Sequence, residues 1–235
     1  MVEPNEQRLT DAASGVVRSL PASDAHTAAA AVMDLDGNIF TGVNVFHLTG
    51  EVCAELVAVG AAAASGAAPL ITIVAVGDAD RGVIPPCGRC RQVLLDLCPD
   101  IYVIMPTGSG LESRPVRELL PAGSLPTRSD RPRIVYFHPR HYDSILAGRK
   151  TATVRYRDPL RAGPVTLVFD DGDTIRHLDA VIDQVSHRLA GGLTDDDAHR
   201  ENLADRQTLR EALRDHYPTL QDSDPIDVAT FRLST

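Results

Sequence analysis

The first half of the chain shows the hydrophobic patterns of helices and strands that follow one another along the sequence. Apolar residues recur every three or four positions where a helix is predicted, and runs of small or β-branched apolar residues predict buried strands. The predicted helices are 6–20, 53–64, 87–97 and 116–120, and the predicted strands are 26–33, 38–44, 69–76 and 101–105. This order is typical of an α/β fold, an α-β-α sandwich around one sheet.

A different pattern follows a stretch rich in Pro, Gly, Ser and Arg near the middle of the chain. We predict a first domain over residues 1–125, a linker over 126–132 and a second domain over 133–235. The second domain is predicted to be β-rich, an α+β barrel-like fold or open sheet with a few short helices. Its predicted strands are 134–137, 151–156, 164–169, 174–185 and 226–233, and its predicted helices are 141–146 and 206–216. The acidic run 195–197 is expected to be a solvated loop.

Composition narrows the classes of function. The chain has 235 residues, 43% of them hydrophobic, and a formal net charge of −9. That charge argues against broad binding to a nucleic-acid backbone, which requires clustered Lys and Arg, but it leaves a small nucleoside or a local basic patch open. No apolar run approaches the ~20 residues that span a membrane, and the polar, acidic N-terminus is unlike a secretion signal. We therefore expect a cytoplasmic protein, in which thiols stay reduced and can hold a metal.

Three of the four cysteines occur in a pattern typical of a catalytic zinc site. Cys53 stands at the start of one predicted helix, and Cys87 and Cys90 open another, so the positive ends of two helix dipoles would favour thiolates. Three ligands leave the fourth position of a tetrahedral zinc open, and Glu55 is a candidate acid–base group beside them. Cys-x-x-Cys alone is also typical of a redox pair or of half a structural zinc site. Cys98 lies two turns beyond Cys90, too far along its helix to share the ion.

The order Cys53-Ala54-Glu55 and then Pro86-Cys87-Gly88-Arg89-Cys90 is the signature of zinc nucleobase deaminases. Residues 1–125 resemble the small cytidine deaminases, and within that family the blasticidin S-type deaminases, which act on a cytosine-containing nucleoside antibiotic. The stretches that carry the resemblance are 39–45, 53–57, 81–82, 86–97 and 117–121. The resemblance implies Zn²⁺ as cofactor and hydrolytic conversion of a small cytosine nucleoside to its uracil form with release of ammonia.

For the metal site, the resemblance makes the three thiols zinc ligands and gives Glu55 the task of moving protons between water, the base and the departing ammonia. Three thiolates would leave the site negatively charged and would resist the ionisation of water. Arg89 stands between two of the ligands, and we expect it to offset this charge by donating to a thiolate. The alternative for Arg89 is an ordinary solvated side chain, which is the usual state of arginine.

For the substrate, the resemblance indicates a small set of nucleoside-binding residues, namely Asn44, Phe46, Ala54 and Arg81. Asn44 matches the family asparagine that hydrogen-bonds the sugar hydroxyl. Typical cytidine deaminases have a glutamate two residues further on, where this chain has Phe46, so ordinary cytidine is not the expected best substrate. Small cytidine deaminases assemble as tetramers in which neighbouring subunits complete the site, and a homo-oligomer, either a tetramer or a dimer, is expected here.

Residues 133–235 resemble the ASCH domains, and within them the small bacterial amidohydrolases that remove the acetyl group from N4-acetylcytidine. The stretches that carry this resemblance are 145–155 and 200–203. The resemblance implies a catalytic set of Lys150, Thr153 and Glu201. Its chemistry is physically reasonable, because a threonine nucleophile needs a base, a desolvated lysine can serve as one, and a carboxylate can orient that lysine.

Two alternatives stay open for this second domain. Arg149, Lys150 and Arg155 could instead clamp the phosphate of a nucleotide or RNA, with RNA not favoured, or the domain could be a structural appendage. The chain therefore has two candidate functions. One is a bifunctional enzyme that removes an acyl group from the exocyclic nitrogen of cytosine and then deaminates the base. The other is a single-activity deaminase whose second domain binds or gates.

Overall fold

The computed structural model describes residues 3–120 and 132–234. The fold divides into two compact units. The first comprises residues 1–130 and 171–175, and the second comprises residues 131–170 and 176–235. The predicted linker 126–132 lies outside the described residues except for Pro132, so its boundaries stay a prediction. No helix in the described part of the chain is both long and apolar enough to cross a membrane.

The first unit is built on one sheet of six strands. Its elements in chain order are α1 (Pro4–Ser19), β1 (Ala28–Asp34), β2 (Ile39–Val43), β3 (Val45–His47), β4 (Gly50–Val52), α2 (Ala54–Ala64), β5 (Leu70–Gly77), β6 (Gly82–Ile84), α3 (Gly88–Leu97), β7 (Tyr102–Thr107) and β8 (Gly110–Pro115), followed by a 3₁₀ turn at Val116–Leu119. The strand order is β2-β1-β5-β7-β8, with β6 also paired to β5 and with β5 and β7 parallel. The strands β3 and β4 form a separate hairpin.

Helices cover both faces of this sheet. The strand β1 is buried along its whole length, and its side chains alternate between the two faces. On one face Ala28, Ala30 and Val32 share a core cluster with apolar residues of α2 and α3. On the other face α1 packs against β1, β2 and β5. The α-β-α sandwich expected from the sequence is therefore confirmed.

A close contact between β2 and α2 fixes the helix that begins beside Cys53. A Cβ added at Gly42 would lie 2.3 Å from the backbone nitrogen of Ala58 and 2.9 Å from the carbonyl oxygen of Ala54. Only glycine lets the two backbones approach this closely, because any other residue would place a carbon inside the helix. The position of α2, and with it that of Glu55, therefore depends on this glycine.

The second unit is built on a five-stranded sheet that curls into a half-barrel. Its elements are β9 (Arg133–Phe137), α4 (Tyr142–Leu146), β10 (Ala152–Arg155), β11 (Gly163–Asp170), β12 (Ile175–Leu189), α5 (Asp195–Arg200), α6 (Arg206–His216) and β13 (Pro225–Leu233). The strand order is β10-β13-β12-β11-β9, with β9 and β11 parallel. One core cluster contains Phe137, Phe169 and Phe231, and another packs α5 and α6 against β10 and β13. This is the β-rich, barrel-like α+β fold that the sequence predicted.

The prediction of a solvated loop at 195–197 is wrong. These residues form the first turn of α5, and Asp197 is buried. The Asp197 carboxylate accepts hydrogen bonds from the backbone N–H (2.8 Å) and the hydroxyl (2.7 Å) of Thr194, whose hydroxyl oxygen accepts from the Asp197 N–H at 3.2 Å. Such a capping box and the helix dipole both stabilise acidic residues at the start of a helix. The prediction of a solvated loop considered only the charge of the run and not this stabilisation.

Candidate functional site

Two helix N-termini bring three thiols together in the first unit. Cys53 is the N-cap of α2, Cys87 is the N-cap of α3, and Cys90 lies in the first turn of α3. The three sulfur atoms lie within 4.8 Å of one another, and the Sγ atoms of Cys53 and Cys87 are 3.7 Å apart. Tetrahedral zinc with Zn–S bonds of about 2.3 Å requires sulfur atoms roughly 3.8 Å apart. The thiols therefore fit zinc, which is the cofactor predicted from the sequence.

Without a cation, burial favours the protonated form of two of these thiols. Burial raises the pKa of Cys90 far above its usual range and raises that of Cys53. Burial acts on Cys87 in the same direction, but hydrogen bonds, chiefly from the backbone N–H of Cys90 at 3.4 Å, outweigh it and lower the pKa of the Cys87 thiol. Three thiolates in this place would repel one another, and a bound divalent cation offsets that cost and holds the thiols deprotonated.

Glu55 lies beside the thiols on the first turn of α2, where it is 8% exposed. Burial raises the pKa of its carboxyl, and a hydrogen bond from Cys90 opposes this shift. A small apolar pocket adjoins the carboxylate and is lined by Ile73, Ala75, Ile84, Pro86 and Leu94, among others. A carboxyl group whose pKa is raised towards the working pH is suited to accept and return protons.

Asn44 and Arg81 converge on one residue, Thr27. The side-chain oxygen of Asn44 accepts hydrogen bonds from the backbone N–H groups of Thr27 and Ala28, both at 2.8 Å. The Asn44 Nδ2 donates one proton towards the Thr27 hydroxyl at 3.4 Å. Its second proton has no acceptor within residues 3–120 and 132–234. Arg81 donates to the carbonyl oxygen of Thr27 and pairs with Asp78 at 2.6 Å, so its guanidinium anchors the backbone in this structure.

The other residues predicted for this site surround the hairpin formed by β3 and β4. Phe46 is 55% exposed on β3, while Ala54 is buried as the first residue of α2. The guanidinium of Arg89 donates to the carbonyl oxygen of Glu51 on β4 at 2.8 Å. Arg89 thus ties the hairpin to α3 through its side chain, while its backbone N–H contributes to the low pKa of Cys87.

The second unit buries the other predicted catalytic set. Lys150, Thr153 and Glu201 are 3%, 5% and 9% exposed. One Glu201 oxygen pairs with the Lys150 ammonium, and the other accepts a hydrogen bond from the backbone N–H of Val154 at 2.7 Å. The carboxylate therefore joins the lysine to the residue that directly follows Thr153. The hydroxyl oxygen of Thr153 accepts from Arg155 Nε at 3.1 Å.

The charge state of Lys150 suits a base. Burial lowers the pKa of Lys150 to about 7, and the positive charges of Arg155 and Arg140 act in the same direction. The paired Glu201 carboxylate acts in the opposite direction, because it favours the charged lysine. An amine with this pKa is partly neutral near pH ~7 and can accept a proton from a hydroxyl group. The buried lysine is therefore suited to the role of a base.

The chain was compared with known proteins. The family model described as "Cytidine and deoxycytidylate deaminase zinc-binding region" matches residues 3–105. A blasticidin-S deaminase of Bacillus cereus is 30% identical over 129 residues, which cover 51% of this chain and 92% of that protein. The chain belongs to the cytidine deaminase family. A cytidine deaminase of Halalkalibacterium halodurans is 39% identical to this chain over 98 residues, covering 39% of this chain and 72% of that protein.

The other half of the chain also has a structural neighbour. It is similar to the ASCH domain from Lactobacillus crispatus, with 18% sequence identity and a TM-score of 0.36, covering 43% of this chain and 78% of that chain. The function of the second unit has to be argued from its own residues.

Two features of the structure were not predicted from the sequence. Arg91 donates to the carbonyl oxygens of Pro86 at 2.9 Å and Leu119 at 3.3 Å, so it holds the residue that precedes Cys87. The second feature is a group of basic residues after β9, which contains His138, Arg140 and His141. The run of basic residues directly after a predicted strand was the available signal.

Proposed function

We propose that this deaminase converts the cytosine of a small nucleoside to uracil with release of ammonia, using zinc held by Cys53, Cys87 and Cys90. One observation carries the proposal: a buried carboxyl group of raised pKa, Glu55, touches a cluster of three thiols that fits zinc. Membership of the cytidine deaminase family supports the same chemistry.

Zinc held by these thiols would supply a Lewis acid that allows water to ionise near pH ~7. Glu55 accepts the proton that the water gives up and transfers it to the ring nitrogen. The water oxygen bonds to C4 of the base. Glu55 then takes the proton of the new C4 hydroxyl and gives it to the amino nitrogen, which leaves as ammonia when its bond to C4 breaks. Its burial keeps these protons away from bulk solvent.

Substrate binding and charge compensation are proposed for the remaining residues of the first unit. The available Nδ2 proton of Asn44 would donate to a sugar hydroxyl, while Phe46 and Ala54 would line the pocket. Arg81 would shape this pocket by holding Thr27. Arg89 lies at the same helix start as two ligands, and its positive charge would offset that of the thiolates. The proposed substrate is cytidine or a cytosine-containing antibiotic such as blasticidin S, because a cytidine deaminase and a blasticidin-S deaminase are both similar to this chain.

A second copy of the chain is proposed to cover the hairpin of β3 and β4. This hairpin leads directly into Cys53 and exposes four apolar side chains, namely Val45 (46%), Phe46 (55%), Leu48 (90%) and Val52 (40%). Exposed apolar side chains grouped on one short hairpin indicate an interaction site. We therefore propose a homo-oligomer, a tetramer or a dimer, and a cytoplasmic location that keeps the thiols reduced.

For the second unit we propose removal of an acyl group from the exocyclic nitrogen of cytosine before deamination. The buried contact between Lys150 and Glu201, next to Thr153, favours this activity. Neutral Lys150 takes the Thr153 hydroxyl proton, and the Thr153 oxygen bonds to the acyl carbon. The bond between that carbon and the exocyclic nitrogen breaks, and the nitrogen receives the proton from Lys150. Water then cleaves the acyl ester, which releases a carboxylic acid and restores Thr153.

The alternative makes the second unit a binding or gating module for a nucleotide or RNA, and the basic side chains near Lys150 favour it. A substrate panel separates the two proposals. The full-length protein is incubated with cytidine, deoxycytidine, blasticidin S and N4-acetylcytidine, and products are followed by ammonia release and mass spectrometry. We expect N4-acetylcytidine to yield cytidine and then uridine.

Two variants separate the two reactions. With N4-acetylcytidine, Glu55→Gln should produce cytidine and no uridine. Thr153→Val should leave N4-acetylcytidine intact and should still deaminate cytidine. Acetyl removal that survives in Thr153→Val would contradict the proposed role of the second unit. Absence of any uracil product from the wild-type protein with every substrate would contradict the deaminase proposal.

A further inference from the structure

The site of the second unit is surrounded by basic side chains, and the proposed acyl removal uses only Lys150 among them. The ring of Phe137 has the Lys150 ammonium 5.8 Å from its centroid and the Arg155 guanidinium 4.7 Å from it. The chain continues from Phe137 into His138, Arg140 and His141. We call His138, Arg140, His141, Lys150 and Arg155 the basic cluster.

The segment after β9 is held in a defined shape. His138 Nδ1 accepts a hydrogen bond from the backbone N–H of Arg140 at 3.2 Å, so its Nε2 carries the proton and is a donor. Arg140 Nε donates to His141 Nε2 at 3.4 Å, and the rings of His138 and His141 are 6.5 Å apart. These three residues therefore form a compact group.

Acidic side chains balance only part of this group. Glu201 pairs with Lys150, and Asp158 is shared between Arg133 and Arg155, whose Nη1 is 3.7 Å away. Arg140 has no carboxylate within 4.0 Å among the residues that the structure describes. The positive charge of Arg140 is thus left without a carboxylate partner in a chain whose net charge is −9.

The mutual influence of these groups shows that they share one environment. Burial and then the charge of Lys150 lower the pKa of His141 to about 3. Burial and then the charges of Arg155 and Arg140 lower the pKa of His216, so this residue also lies within the field of the cluster. The cluster therefore sheds charge when it is empty, and a bound anion would favour the charged forms.

We propose that the basic cluster binds a phosphate group, so that the ligand of the second unit is a phosphorylated cytosine nucleotide rather than a neutral nucleoside. This inference specifies the substrate class of the proposed acyl removal. It depends on that proposal only for the acyl group of the ligand and not for the phosphate. Arginine and histidine N–H groups are well suited to phosphate oxygens. A single phosphate group would contact the basic cluster alone. A long RNA would also extend over the rest of the protein, whose net negative charge would repel its phosphates.

Binding without turnover tests this inference. The full-length Glu55→Gln/Thr153→Val protein is titrated by calorimetry with N4-acetylcytidine and with its 5′-monophosphate. We expect the phosphate to increase affinity about 10-fold or more, the equivalent of one charge-assisted hydrogen bond. Adding Arg140→Ala should remove this preference. Adding Arg214→Ala, which changes an exposed arginine of α6 paired with Asp222, should retain it.

Inorganic phosphate, titrated alone and followed by ³¹P NMR line broadening, separates the two proposals. Phosphate binding that requires Arg140, combined with no binding of either acetylated ligand, supports the phosphate site and contradicts acyl removal. Equal affinities for the two acetylated ligands, or phosphate binding unaffected by Arg140→Ala, overturn the phosphate site. A cytidine oligoribonucleotide that binds more tightly than the monophosphate also overturns it, because it assigns the cluster to RNA.

Discussion

Replacing Gly42 with alanine tests whether the contact between β2 and α2 determines the catalytic geometry. The new methyl group would lie 2.3 Å from the Ala58 nitrogen, 2.7 Å from the Val57 carbonyl carbon and 2.9 Å from the Ala54 oxygen. All three are backbone atoms of α2, which cannot move aside as a flexible side chain can. The helix must shift, and Cys53 and Glu55 at its N-terminus must shift with it.

The magnitude follows from these contacts. Overpacking a core costs about 1–3 kcal/mol, and three backbone overlaps place Gly42→Ala at about 3 kcal/mol. In a chain of this size 1 kcal/mol lowers the melting temperature by roughly 2–4 °C, so we expect a decrease of about 9 °C. A catalytic group displaced by about 1 Å can lose about 100-fold in rate, so kcat/KM for deamination should fall by one to two orders of magnitude.

Gly60→Ala is the matched control, because Gly60 lies in the same helix and a Cβ there meets nothing within 4 Å. Alanine at this exposed helix position should stabilise the protein by about 0.5–1 kcal/mol. Both variants are measured by calorimetric unfolding and by deamination kinetics at equal zinc content. If Gly42→Ala melts at the temperature of Gly60→Ala and keeps wild-type kcat/KM, the close contact does not position the site.

Three further predictions concern the metal, the second unit and the hairpin. The zinc content measured by elemental analysis should fall in Cys90→Ser. It should stay at the wild-type level in Cys98→Ser, because Cys98 lies at the far end of α3. A wild-type zinc content in both variants would exclude Cys90 as a ligand. Acyl release should rise as the pH passes through about 7, since Lys150 must lose its proton to act as base, and a flat profile from pH 6 to 8 would exclude this role. Leu48→Asp should lower the molar mass measured by light scattering to that of a smaller species while the protein still unfolds cooperatively, because it places a charge among the exposed apolar side chains of the hairpin. An unchanged molar mass would show that the hairpin is not part of the interface.

Local sequence signals were enough for much of the fold and for the metal cluster. The helix predicted at 206–216 is the observed α6, because helical periodicity is a property of neighbouring residues. The three thiols come together because two of them are helix N-caps. The spacing of a cap relative to its helix is local, so a motif could specify it.

Features that depend on distant contacts were not accessible in the same way. The hairpin of β3 and β4 consists of strands of three residues each, too short for a periodic pattern. The contact of Arg81 with Thr27 joins positions 54 residues apart, and the contact of Lys150 with Glu201 joins positions 51 residues apart. The resemblance indicated that these residues matter, but only tertiary structure determines what each side chain touches.

The most direct test of the account is deamination by Glu55→Gln at measured zinc content. Wild-type protein and the variant are brought to one zinc per chain, and the conversion of cytidine or blasticidin S to its uracil form is followed by absorbance and ammonia release. The account predicts that the variant keeps its zinc and its fold and that kcat falls by about 10²–10⁴-fold, the usual contribution of general acid–base catalysis. A variant with full zinc whose kcat stays near the wild-type value would contradict the central role of Glu55.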